Sequence, residues 1–166
     1  MHDSDQAIRH EFAALLEQKA DAATMTNFHA RMEYVDSCNL AFVSRFIDQF
    51  GWRGADEVGQ QGNSVLFLVI QHSPLAVQEK YLPAMQKAVR EKKARPDELA
   101  MLEDRVSVAL HGYQIYGSQL MTNEKGVRSV SPIKDEANVN KRRAAVGLMP
   151  LEEYLKLFNI IYTPPK

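Results

Sequence analysis

Several polar residues in this chain stand where their neighbours favour apolar side chains. Gln71 and His72 directly follow Val65-Leu66-Phe67-Leu68-Val69-Ile70, the most apolar run in the sequence. A polar pair at the end of a buried element is costly unless both groups are hydrogen-bonded. An unperturbed imidazole titrates at about 6.5, so His72 is a candidate proton carrier at the lip of a pocket. The plainer reading makes it a helix C-terminal residue that caps free carbonyls. Asp104 and Arg105 interrupt the apolar stripe Leu99, Leu102, Val106. Asp104 could orient His72, and Arg105 could hold a carboxylate or phosphate in its fork. A structural ion pair or an ordinary solvated edge is the alternative.

The densest polar stretch is Tyr113-Gln114-Ile115-Tyr116-Gly117-Ser118-Gln119. Alternation along a strand would put Gln114, Tyr116 and Ser118 on one face, where they could line a cavity. Gly117 would permit a bulge that re-aims Gln119. The alternative is an edge hairpin with a polar, solvent-facing side. Lys141-Arg142-Arg143 follows on a predicted helix. Such a triplet is ordinarily a solvated face, but Arg142 or Arg143 could reach an anionic ligand.

Other chemistries lack their residues. The five histidines have no ligand-like spacing, and Cys38 is the only cysteine, so neither a metal nor a disulfide is expected. No HExxH, CxxC, GxGxxG, Walker or GxSxG pattern occurs, and no cofactor is expected. Cys38 lies in mid-helix near Asp36, which disfavours a reactive thiolate. Net charge is −1, from 20 basic and 21 acidic residues, which argues against a nucleic-acid partner. The apolar run of six falls well short of the roughly 20 residues that span a bilayer, and no signal-peptide core is visible. The expectation is a cytoplasmic protein with a reduced thiol and no membrane partner.

The elements that would position these residues are mostly helical. With 166 residues, 45% hydrophobic and 25% charged, the chain is expected to be one globular domain. Residues 1–50 would form N-terminal helices, 51–160 a motif-bearing core, and 161–166 a tail. Helices are predicted over 4–22, capped by Ser4 or Asp5, and over 26–50, ended by Gly51. The run 65–70 reads as a buried helix in preference to a buried strand, its helix starting near Gln60 or Asn63. Ser73-Pro74 opens the next helix, to about Lys92, with a kink or break expected at Pro83. Pro96 to Gly112 follows. Arms near 113–121 and 127–133, around Asn123-Glu124-Lys125-Gly126, predict a β-hairpin. Residues 135–146 and 150–159 complete the set. The fold class is mainly α: a single-domain helical bundle with one β-hairpin near the C-terminal third.

QHSP at 71–74, EDRV at 103–106, YGSQ at 116–119 and PIKDEANVNKRRAAVGLMPLEEYL from 132 onward occur in a specific order. Over roughly residues 50 to 155 the chain resembles a bacterial domain of unknown function, whose members carry QH, LPxMxxAV, DR, QxYG[ST]Q and PIxDxxNVxxRRxxVGL in that order. Ser118 stands where threonine is expected, and Asn140 where an aspartate is common. The resemblance brings no reaction with it. It implies that His72, Asp104, Arg105, Gln114, Tyr116 and Gln119 travel together as one site.

Two functions follow from these residues. The first is a metal-independent enzyme using general acid/base chemistry, hydrolysis or group transfer, on a small polar or anionic molecule. His72, Asp104 and Tyr116 would be catalytic; Arg105, Gln71, Gln114, Gln119 and Arg142 would bind substrate. The second is a non-catalytic ligand-binding or protein-interaction module, resembling an immunity protein, whose polar cluster is structural. A second copy of the chain is one partner to consider in either case.

Overall fold

A computed structural model describes residues 2–163. The expected tail, Thr163-Pro164-Pro165-Lys166, lies outside the described residues from position 164 onward. The protein is mainly helical, with seven α-helices and one two-stranded antiparallel sheet among the described residues. No helix among them is long and apolar enough to cross a membrane. The chain forms two compact units, Met1–Pro74 and Leu75–Lys166.

The first unit holds α1 (His2–Glu17), α2 (Ala22–Phe50) and α3 (Ala55–Gln71), each packed against the other two. Helix α1 begins ahead of the cap expected at Ser4 or Asp5. Helix α2 begins four residues before the expected Thr26. Asp21 caps it, its Oδ1 accepting the Thr24 N–H at 2.8 Å, which satisfies an otherwise orphaned amide of the first turn. The Gly51 N–H closes the other end on the Ile47 carbonyl. The run 65–70 is helical, and Leu66, Phe67, Val69 and Ile70 join Ile8, Phe28, Val43, Ile47 and Trp52 in the core. Helix α3 starts at Ala55, earlier than expected, because Gly59 (φ +75°, ψ 162°) lets two helical pieces meet. A residue with a Cβ would be strained at that φ.

The second unit starts with α4 (Leu75–Arg90), packed on α5 (Pro96–His111) through a core that includes Tyr81, Met85, Ala88, Leu102 and Val106. Helix α4 runs on through Pro83 without ending there. Strands β1 (Leu120–Thr122) and β2 (Arg128–Val130) pair in register Leu120–Val130, with a turn at 123–126 whose Asn123 Oδ1 accepts the Lys125 and Val127 N–H groups. The hairpin arms are therefore shorter than the expected 113–121 and 127–133. Residues 113–119 form an ordered loop: Gln114 makes one isolated bridge with Ile133, while side chains bond the peptide groups of Ile115, Tyr116 and Ser118. A 3-10 turn (Glu136–Asn138) precedes α6 (Val139–Ala145), so the helix expected over 135–146 is shorter. Helix α7 (Leu151–Lys156) follows. Val139, Leu151 and Leu155 form a second small core under the hairpin residues Leu120, Val130 and Ile133.

One buried carboxyl makes stability depend on pH. Glu98, in the first turn of α5, is almost fully buried, and its Oε2 has no hydrogen-bond partner among the described residues. Burial pushes its carboxyl from 4.5 up to about 7; the Arg95 guanidinium opposes this shift and the Asp97 carboxylate adds to it. The folded chain keeps a proton that the unfolded chain has released. This group's contribution is therefore whole below 4.5, falls as pH rises, and is gone above about 7. The expected loss across that window is on the order of 2–3 kcal/mol. Glu98→Gln should remove the slope and stabilise the neutral protein by a similar amount. Urea unfolding of both proteins at about pH 5 and about pH 8 checks this; parallel pH profiles would refute it.

Candidate functional site

The polar cluster of the second unit is built around the loop 114–119. Asp104, on the inner face of α5, is completely buried. Its Oδ1 accepts the N–H groups of Ile115 (2.7 Å) and Tyr116 (2.9 Å), and its Oδ2 accepts that of Ser118 (2.9 Å). Gln114, also completely buried, donates Nε2 to the carbonyls of Gln119 and Ser131 and accepts the Gln119 N–H at 2.7 Å. The outward carbonyls are held from α6 and α7. Arg142 donates Nε to Ile115 O at 2.9 Å and Nη2 to Lys134 O and Asp135 O, while its Nη1 pairs with the Asp135 carboxylate at 3.0 Å. Arg143 donates Nη1 to Tyr116 O at 2.7 Å and Nε to Met149 O at 2.6 Å. The Tyr154 hydroxyl donates to Ser118 O at 3.1 Å.

Gly117 completes the loop at φ +78°, where its missing Cβ leaves just enough room for Leu151 and Ile133. Burial lowers the Arg143 pKa, and its guanidinium lies 5.0 Å from the Tyr154 ring centroid. The Tyr116 phenol is half-buried beside Glu103. Burial raises its pKa, and the Glu103 and Asp104 carboxylates raise it further. Gln119 donates to Ser118 Oγ at 3.1 Å. Arg105 is half-buried on α5. Asn140 donates to Glu152 at 2.8 Å and accepts the Leu151 N–H at 2.7 Å. An amide can do both where a carboxylate could only accept.

Asp104, Gln114, Tyr116, Gln119 and Arg142 thus come together in the second unit. Three of these, Asp104, Gln114 and Arg142, are hydrogen-bonded to main-chain groups. Arg143, only half-suspected from the sequence, is a buried member of the same network.

Gln71 and His72 belong to the first unit. Gln71 is buried in the last turn of α3, and His72 forms its C-cap, donating its backbone N–H to Leu68 O at 3.1 Å. His72 lines a cavity of about 300 Å³ between α2 and the end of α3. Helix α2 supplies Glu33, Asp36, Ser37, Asn39 and Leu40; Val69, Ser73 and Pro74 complete the wall. The Ser73 hydroxyl donates to Val69 O at 2.6 Å. Asn39 is 7% exposed, and its Nδ2 has no hydrogen-bond partner among the described residues. Sequence reasoning missed Asn39, Glu33 and Asp36. The signal for Asn39 was available: it occupies a place in the series Phe28, Val35, Val43, Ile47, whose helical spacing marks the buried side of α2. No group of three or more His, Cys, Asp or Glu side chains among the described residues is placed to hold a metal ion.

The model of a family of unknown function, DUF6624, matches residues 1–164. Neither the curated proteins nor the solved structures include a match to the chain.

Proposed function

The chain belongs to DUF6624, a family of unknown function, and we propose for it the role of a small-molecule-binding module whose pocket is the His72 cavity. The polar cluster of the second unit is then a structural network. The observation that carries this reading is Asp104. A general base has to reach a substrate proton, whereas both oxygens of this fully buried carboxylate are occupied by main-chain N–H groups. Arg142, one candidate for an anionic ligand, likewise donates to three carbonyls and pairs with Asp135. We place the protein in the cytoplasm, where the exposed thiol of Cys38 stays reduced.

An enzyme reading survives in one form, with His72 as the proton carrier in the same cavity and water as the nucleophile. Native mass spectrometry of the purified protein, followed by release and identification of any retained molecule, separates the two. A binding module returns its ligand chemically unchanged after prolonged incubation. An enzyme returns a product, and that result would replace the proposal. His72→Gln should keep the fold and weaken retention by about tenfold, equivalent to about 1.4 kcal/mol. Unchanged retention by this variant would remove the ligand from the cavity.

A further inference from the structure

We propose that the cavity takes a small organic cation carrying a hydrogen-bond acceptor near its charge, such as a primary amine next to a carbonyl. This rests on the reading of the cavity as a ligand pocket, and it reverses the sign of the ligand that the sequence suggested. Three features of the wall carry it.

Charge comes first. Glu33 and Asp36 face the cavity from successive turns of α2, and among the described residues no Lys or Arg lines it. Two carboxylates on one wall repel an anion and attract an ammonium group. Glu33 is exposed at the rim, where it can meet an incoming cation, while Asp36 is half-buried. Asp36 has interactions of its own within the chain and adds to the field.

Asn39 supplies the second feature. Asn39 is more than nine-tenths buried and lines the same cavity, and its Nδ2 has no partner among the described residues. A buried donor in that state is costly. An acceptor on the ligand would satisfy it, and a ligand lacking one would not. Discrimination is strong where a site is built to pair a polar group and the competitor leaves that group unpaired.

Size and polarity are the third feature. About 300 Å³ is the lower end of the range for small-molecule pockets, and Leu40, Val69 and Pro74 give one apolar side. The ligand therefore has a short hydrocarbon body with its polar groups at one end.

Titration of the isotope-labelled full chain, followed by NMR, tests the proposal, because the Asn39 side-chain NH2 resonance reports directly on its partner. The probes are glycinamide (cation with acceptor), propylamine (cation alone), propionamide (acceptor alone) and lactate (anion). Glycinamide should shift the Asn39 NH2 signal and bind at least tenfold more tightly than propylamine or propionamide. Glu33→Gln, at an exposed position that the fold tolerates, should weaken glycinamide about tenfold at low salt. Asn39→Leu should bring glycinamide and propylamine to the same affinity.

Tighter binding of lactate or propionamide at the cavity would overturn the cationic class and leave the pocket reading intact. If no probe shifts a cavity resonance and the protein retains no ligand, both fail.

Discussion

Replacing Asp104 by alanine is expected to cost on the order of 4–6 kcal/mol of folding stability. Three main-chain N–H groups lose their acceptor at once, a carboxyl group that is completely buried. Each orphaned buried donor costs roughly 1–3 kcal/mol. The sum falls short of simple addition because the loop can open and admit water. Even so, the loss is comparable with the whole stability of a marginal domain, about 5–15 kcal/mol. Asp104→Asn should lose about half as much, since one oxygen still accepts two N–H groups while its NH2 faces that of Ser118. Urea unfolding gives the energies. Hydrogen exchange at Ile115, Tyr116 and Ser118 gives the location: slow in the parent, fast in Asp104→Ala. A loss below about 1 kcal/mol, with exchange unchanged, would mean that other groups hold the loop.

Gly117→Ala is expected to cost about 2–4 kcal/mol, for two separable reasons. A side chain at φ +78° is strained, by on the order of 1 kcal/mol relative to glycine. The new Cβ would also stand 2.8 Å from Leu151 Cδ1 and 3.1 Å from Ile133 Cδ1. Leu151 cannot swing aside, being completely buried against Val139 and Leu155, and overpacking of this kind typically costs about 1–3 kcal/mol. A double-mutant cycle with Leu151→Ala separates the contributions. The second change should recover the steric part and leave the backbone part, giving a coupling of about 1 kcal/mol or more. Strict additivity would remove Leu151 from the explanation.

The sequence was most readable where one signal points one way. Gly51 and Gly112 end α2 and α5 as expected, and the run 65–70, ambiguous by period alone, follows its helical neighbours. The loop 113–119 misled for a physical reason. Tyr113, Ile115 and Tyr116 have the composition of a strand, but the Ile115 and Tyr116 peptide groups bond to side chains from α5 and α6. Those partners lie 11 to 27 positions away, with no local pattern to announce them. Asp104 and Gln114 were legible as misplaced polar residues, though not as acceptors and donors for main chain. Asn39 was hidden differently. Its helix was recognised, but a single amide within a long apolar face attracts no motif, and its significance emerges only when its donor is found without a partner beside two carboxylates.

Because Asp104 grips peptide N–H groups and ignores the side chains they belong to, it places almost no demand on residue identity at 115, 116 and 118. Only proline, which lacks that N–H, is incompatible with the grip. Arg142 and Arg143, which take the carbonyls of 115 and 116, are equally indifferent to what those residues carry. The loop therefore separates shape from content. Its path is dictated by distant residues, while the half-buried side chains at 115, 116 and 118 lie outside that grip. A saturation library across 115, 116 and 118 would reveal this as tolerance interrupted by proline, beside a position 117 where every side chain lowers stability.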